Sequence, residues 1–93
     1  MTSRFMQSKL IFTVQPEYPM LAARTRVQGT VVLEAVVTRS GNIDPSRLRV
    51  VRGHPMLTPA AVEAVRKWRY QPTVLNGEPV EVLAEITVNF TLN

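Results

Sequence analysis

The feature that most restricts how this chain can fold is a strict alternation of apolar and polar residues from Val80 to Leu92. One set of alternate positions is entirely apolar: Val80, Val82, Ala84, Ile86, Val88, Phe90 and Leu92. The positions between them carry, with one apolar exception, polar side chains: Glu81, Leu83, Glu85, Thr87, Asn89 and Thr91. A period of two is typical of a strand with one buried and one wetted face, so this pattern predicts a single long β-strand.

The size and composition of the chain limit what can surround that strand. Its 93 residues are enough for one domain with a single two-layer core. The sequence contains no cysteine, which excludes disulfides and thiolate metal sites. The long strand must therefore pair with other strands of this one small domain or with a strand of another chain.

Four further elements are predicted upstream of the last strand. A short helix follows Pro19 and ends near Arg26, and the β-branched stretch from Thr30 to Thr38 is typical of a central strand. A shorter strand returns from Leu48 to Arg52, and the second helix ends before Pro72. The order is therefore helix, strand, strand, helix, strand.

This order predicts an α+β fold, with two helices packed on one face of a three-stranded antiparallel sheet. The strand order is 2-1-3, which leaves the long C-terminal strand at an edge. Asn76-Gly77 predicts a tight turn just before it. We expect residues 1–14 to form an N-terminal tail, with a short extended segment over residues 9–15, and residues 15–93 to form the domain.

The chemistry-bearing residues do not suggest catalysis. The single histidine, His54, lies in a Gly-His-Pro turn without a neighbouring acid or nucleophile. Asp44 and Glu34 do not form a pair that can be placed in one pocket, and the spacing matches no metal or phosphate motif. We expect no enzymatic activity, no metal and no cofactor.

The net charge of +4 permits an anionic partner. Nucleic acid binding would require basic and aromatic residues together on an open sheet face. The outward face of the last strand instead carries Glu81 and Glu85, while Trp68 and Tyr70 fit the border of the core. We therefore expect no nucleic acid partner.

An edge strand without an interior glycine or proline leaves backbone hydrogen-bonding groups available. A partner peptide could be added there as a further strand. Alternatively, residues 9–15 cover the edge, or a second copy of the domain pairs with it to form a homodimer. The periodicity alone does not choose among these three arrangements.

Several motifs resemble the C-terminal domain of the TonB family. The first are Gln15–Pro19 (Gln-Pro-Glu-Tyr-Pro) and Gln28-Gly29 at the start of a valine-rich strand. They are followed by the block Ala60–Pro72, which contains Trp-Arg-Tyr-Gln-Pro, by Asn76-Gly77, and by a strand ending in Val88–Leu92. The order and spacing of the Tyr-Pro and Trp-Arg-Tyr motifs are quite specific, and the resemblance extends over residues 15–93.

The resemblance implies the periplasmic domain of an inner-membrane-anchored energy transducer in a Gram-negative envelope. In that family the domain binds the TonB box of an outer-membrane transporter as a strand added beside the last strand. ExbB and ExbD drive the transducer through its N-terminal region, which would lie outside this sequence. Force derived from the proton motive force would then serve nutrient uptake, including that of siderophores.

The resemblance also implies roles for particular residues. Partner-binding positions are Gln15, Pro16, Tyr18, Pro19, Glu81, Leu83, Glu85, Thr87, Asn89 and Thr91. Structural positions are Gly29, Trp68, Arg69, Tyr70, Pro72, Asn76 and Gly77. The alternative is a self-pairing interaction domain of an envelope protein, similar to TolA or associated with a sensor.

Overall fold

The computed structural model describes residues 9–93, so residues 1–8, the first part of the predicted tail, lie outside the described residues. The elements are β1 (Leu10–Phe12), α1 (Met20–Arg24), β2 (Gly29–Val37), β3 (Ile43–Arg52), α2 (Thr58–Val65), β4 (Arg69–Tyr70), β5 (Thr73–Leu75), β6 (Glu78–Val80) and β7 (Val82–Phe90). The predicted α+β class with two helices and an antiparallel sheet is confirmed. The predicted number of strands is wrong, because four short strands pair in two additional small sheets, β1-β4 and β5-β6.

The main sheet is antiparallel and has the order β3-β2-β7. β2 and β7 pair without interruption from Gly29 opposite Phe90 to Val37 opposite Val82. Valines fill much of β2, and β-branched side chains pack well on a pleated surface, so this stretch suits the centre of a sheet. The three long strands therefore lie in the predicted relative order, with β7 at an edge.

The core lies on one face of this sheet. The apolar positions of β2 and β7 face each other there, in the pairs Val31–Val88, Leu33–Ile86, Ala35–Ala84 and Val37–Val82. Ala22 of α1 and both Ala61 and Val65 of α2 belong to the same buried cluster, so both helices cover this face. Full burial of one large aliphatic side chain such as Leu33 contributes roughly 1.5–3 kcal/mol, which makes this face the main source of stability.

The last strand is shorter than predicted. The expected single strand from Val80 to Leu92 is interrupted at Glu81, which separates β6 from β7. β6 does not join the main sheet, because it pairs back onto β5 across the predicted turn. Asn76 and Gly77 both have positive φ angles, 52° and 82°, as a tight hairpin turn requires.

The second strand is longer than predicted, since β3 covers Ile43–Arg52 rather than Leu48–Arg52. Its pairing with β2 shifts register at two places. The additional part contains Pro45, which has no N–H to donate and is unusual within a strand. The first half of β3 lacks a regular alternation of apolar and polar residues, so the sequence pattern does not predict it as a strand.

A cluster of backbone contacts joins the N-terminal segment, the β2–β3 turn and the residues after α2. The N–H of Gln71 donates to the carbonyl of Lys9 at 2.7 Å, beside the short β1-β4 pairing. The N–H of Tyr70 donates to the carbonyl of Gly41 at 2.8 Å. Because Gly41 has a φ of +89°, it can bring the turn against the backbone of Tyr70 without a side chain in between.

Replacing Gly41 with alanine should therefore destabilise the domain strongly. The added Cβ would overlap the carbonyl oxygen of Tyr70 and would also require a left-handed backbone. We expect a loss of about 2–4 kcal/mol in the free energy of unfolding, measured by urea titration. Gly77→Ala is the matched control: its φ is +82° but nothing lies within 4 Å, so it should lose only about 1 kcal/mol. Equal losses for the two variants would contradict the proposed close contact.

Burial of Tyr70 should make the domain less stable at alkaline pH. Only 3% of this residue is exposed, and burial raises the pKa of its phenol to about 12 from an ordinary value of 10.0. As the pH rises, the phenol of residue 70 therefore ionises in the unfolded chain before it ionises in the folded domain. The contribution of the neutral phenol to the free energy of unfolding is complete below pH 10 and is lost as the pH rises to 12. We expect a fall of about 2–3 kcal/mol in unfolding free energy across this range. In Tyr70→Phe that part of the fall should disappear; an unchanged pH profile would contradict this assignment.

Candidate partner-binding edge

β7 has one paired and one open edge. It pairs with β2 along its whole length, and within residues 9–93 no other strand pairs with it. Its nine residues contain neither glycine nor proline, and at the usual rise they extend over roughly 30 Å. Backbone N–H and C=O groups along this edge are therefore available to an added strand.

The opposite edge of the sheet, formed by β3, is protected. β3 contains Pro45, its ladder with β2 is irregular, and it carries Arg47, Arg49 and Arg52. Proline, bulges and long charged side chains are the devices by which edge strands avoid pairing with other chains. Because β7 contains no proline and pairs with β2 without a register shift, the two edges of the same sheet differ in their capacity to accept a further strand.

The predicted contact positions on β7 alternate as expected. Leu83, Glu85, Thr87 and Asn89 are exposed, whereas the residues between them are buried. The face that they form, which we call the open face, lies on the side of the sheet opposite the core. Leu83 is 56% exposed and gives the open face an apolar position beside the free edge.

The two remaining positions of that predicted set lie outside β7. Glu81 occupies the break between β6 and β7, where its carboxylate accepts a bidentate interaction from Arg47 at 3.1 and 2.6 Å. Hydrogen bonds from Arg47 lower the pKa of the Glu81 carboxyl below its ordinary value. Thr91 follows the end of β7. Glu81 and Thr91 therefore lie on either side of the β2-β7 ladder. Glu81 forms an ion pair with Arg47 within the domain.

Two of the N-terminal site residues lie next to the edge of β7. The indole N–H of Trp68 donates to the carbonyl of Val14 at 3.0 Å and so holds the N-terminal segment near the sheet. A cleft of about 260 Å³ results, lined by Thr13, Val14, Gln15, Pro16, Trp68, Thr87, Val88 and Asn89. The structure thus brings Gln15 and Pro16 together with the last part of β7.

Tyr18 and Pro19 lie on the helix side of the domain instead. The ring of Tyr18 packs edge-on against Phe90, with centroids 5.5 Å apart, and its hydroxyl donates to the carbonyl of Val27. Pro19 immediately precedes α1, and both residues line a second cavity of about 550 Å³ beside α2, which Gln15 also borders. Tyr18 therefore holds the segment against the end of β7 through the core.

The residues predicted to be structural occupy distinct places. Arg69 and Tyr70 form β4, Pro72 follows it, and Gly29 starts β2. Asn76 and Gly77 form the tip of the β5-β6 hairpin. Sequence reasoning assigned Trp68 only to packing and missed that it also lines the cleft with Thr13 and Val14. No local pattern reveals this contact, because Trp68 and Val14 are 54 positions apart.

The described part of the N-terminal segment, from Lys9 onward, forms no backbone ladder with the free edge. Within residues 9–15, Leu10–Phe12 form β1 and pair with β4 rather than with β7. Gln15 and Pro16 border the cleft at one end of the edge, beside Thr87 and Asn89. Leu83 and Glu85, in the first half of β7, do not line this cleft.

The described residues contain no cluster of three His, Cys, Asp or Glu side chains able to hold a metal ion. His54 accepts a hydrogen bond from the N–H of Met56 at its own Nδ1, as a turn residue does. None of the helices in residues 9–93 has the length and apolarity needed to cross a membrane.

Comparisons with known proteins point to one family. The sequence is 34% identical over 79 residues to protein TonB of Vibrio cholerae, and the match covers 85% of this chain and 32% of that protein. It is 36% identical over 80 residues to protein tonB2 of Pseudomonas aeruginosa, covering 84% of this chain and 29% of that protein. The chain therefore spans about a third of the length of these curated relatives.

The fold has a solved counterpart in the solution NMR structure of the Pseudomonas aeruginosa TonB C-terminal domain. The two share a TM-score of 0.73 and 28% sequence identity, over 90% of this chain and 85% of the other. The profile described as "Gram-negative bacterial TonB protein C-terminal" matches residues 14–92. The resemblance noted from the Tyr-Pro and Trp-Arg-Tyr motifs is thereby confirmed, and the chain belongs to the family of TonB C-terminal domains.

Proposed function

We propose that this chain is the receptor-coupling domain of an energy transducer of the TonB type. It acts in the periplasm of a Gram-negative bacterium, as part of a protein anchored in the inner membrane. It binds the TonB box of an outer-membrane transporter as a strand added to the free edge of β7. The proposal requires no enzymatic activity, cofactor or nucleic acid.

The observation that carries this proposal is the difference between the two edges of the main sheet. Among residues 9–93, β7 is long, regular and paired on one side only, whereas β3 is interrupted by Pro45 and by register shifts. An exposed regular edge favours aggregation, so soluble domains usually protect it. A domain that binds an extended peptide requires one exposed, regular edge strand, such as β7, and benefits from protection of the other edge, here β3.

A strand added along β7 is also suited to the transmission of force. Several main-chain hydrogen bonds form side by side along such a strand, so a pull along the strand is shared among them. The ladder between β2 and β7 then passes the load into the core. In the proposed transducer, ExbB and ExbD supply this pull from the proton motive force through the N-terminal part of the parent protein.

The proposal predicts where a bound peptide changes the amide spectrum of the domain. Titration with TonB-box peptides from receptors of the same genome should shift amides along Val82–Phe90 and near Gln15 and Pro16. Amides of β3 should shift much less, because that edge is protected. Shifts confined to β3, or none at millimolar peptide, would contradict the proposal.

The second candidate is self-pairing of two copies through the same free edge. The same observation favours it, since an unpaired regular strand accepts an identical strand as readily as a peptide. Light scattering separates the two candidates in the same samples. A mass that doubles with concentration, together with β7 amides that do not respond to peptide, would favour the homodimer.

A further inference from the structure

The open face carries a row of charged side chains that runs across the sheet toward the free edge. Glu34 of β2 lies opposite Arg49 of β3 on one side and opposite Glu85 of β7 on the other. The Nε of Arg49 lies 2.9 Å from an Oε of Glu34, so these two side chains form an ion pair. From β3 to β7, the row therefore reads positive, negative, negative.

Glu85 is the member of this row without a partner. Among the described residues, no hydrogen bond or ion pair involves its carboxylate. Its cross-strand neighbour Glu34 carries the same charge, and like charges directly opposite each other destabilise a sheet. The nearest cation along the row, Arg49, is already bound to Glu34. The other side of Glu85 is the free edge.

We propose that Glu85 is a specificity-determining residue, and that the strand bound by β7 carries a lysine or arginine opposite it. This inference rests on the proposed function, because it concerns the partner added at the same edge. A residue opposite Glu85 in an added strand lies on the open face, with Cβ atoms about 5 Å apart. A cation there completes a row in which Arg49, Glu34, Glu85 and the partner contain one cation for each carboxylate.

The apolar position on the open face extends the pattern that the partner must carry. Leu83 is two residues from Glu85 in β7, on the same face, and is 56% exposed. Its neighbour on β2 is Val36, so an apolar partner side chain would continue a row of apolar contacts. The partner strand should therefore have an apolar residue two positions from its cation. This spacing holds whether the strand is added parallel or antiparallel.

The test uses a series of nine-residue TonB-box peptides from one receptor of the same genome, with each position replaced in turn by lysine or by glutamate. Affinity is measured from the β7 amide shifts. One position should favour lysine over glutamate by roughly three- to fivefold, and this preference should shrink at higher salt. In Glu85→Lys, the preference at that position alone should reverse. In Glu85→Gln it should disappear.

The matched control is Glu78→Lys in β6, which makes the same charge change at another exposed strand glutamate. It should alter the affinities of all lysine peptides together and leave the positional preference unchanged. Glu85→Lys should also remain folded, since it replaces a like-charged pair by an opposite pair. We expect its Tm to rise by about 2–4 °C.

Each outcome decides a different point. If the peptides shift the β7 amides but no positional preference changes in Glu85→Lys, the specificity role is overturned and strand addition stands. If the preference changes equally in Glu78→Lys, the effect belongs to net charge and the specificity role is again overturned. If no peptide in the series shifts β7, both the specificity role and the proposed function fail.

Discussion

The rest of this domain depends on the ladder between β2 and β7. The two strands pair without a register shift from Gly29–Phe90 to Val37–Val82, and every second pair is buried. Since a slip by one residue would turn the apolar set of β7 toward water, the register is strongly specified. Both helices then pack on the face that this ladder defines. The same ladder fixes which residues of β7 lie on the open face and leaves the outer edge of the strand unpaired.

An unpaired edge of this kind is a liability in an isolated domain, and its position within the molecule supports a binding role. The sheet ends on one side at β3, with Pro45 and three arginines, and on the other at a regular strand. Glu85 adds a second feature, because its carboxylate faces that of Glu34 and has no partner among the described residues. A residue that does not stabilise the free domain but would stabilise a complex is typical of a binding site.

The sequence predicted the elements whose pattern is local and missed those that depend on distant contacts. The alternation of β7 identified its buried face, and Asn76-Gly77 identified the hairpin turn. The break at Glu81 was not predictable in this way, because apolar residues continue the period on both sides while the two halves pair with different strands. The extended segment predicted over residues 9–15 contains β1, but its pairing with β4, at only two positions, depends on long-range contacts and was not predicted.

The geometry of the candidate site was predictable only in part. Alternation identified which residues of β7 are exposed, and the resemblance pointed to Gln15 and Pro16, which border the cleft beside this strand. Tyr18 belongs to the same motif but is turned toward Phe90 in the core. Within a five-residue motif, adjacent side chains point in different directions, so a motif cannot separate contact residues from supporting ones. The unpaired state of Glu85 depends on strand register, which no single segment of sequence reveals.

The central claim, addition of a partner strand at β7, can be tested most directly by disulfide cross-linking. The chain has no cysteine of its own, so single cysteines can be introduced without competing reactions. Leu83→Cys and Thr87→Cys would be placed on β7, with Arg49→Cys on β3 as the matched control, against cysteines scanned through the TonB box of an intact receptor. We expect cross-links to both β7 positions at alternate residues of the box, with little reaction at β3. Equal reaction at β3, or no alternation along the box, would contradict the claim.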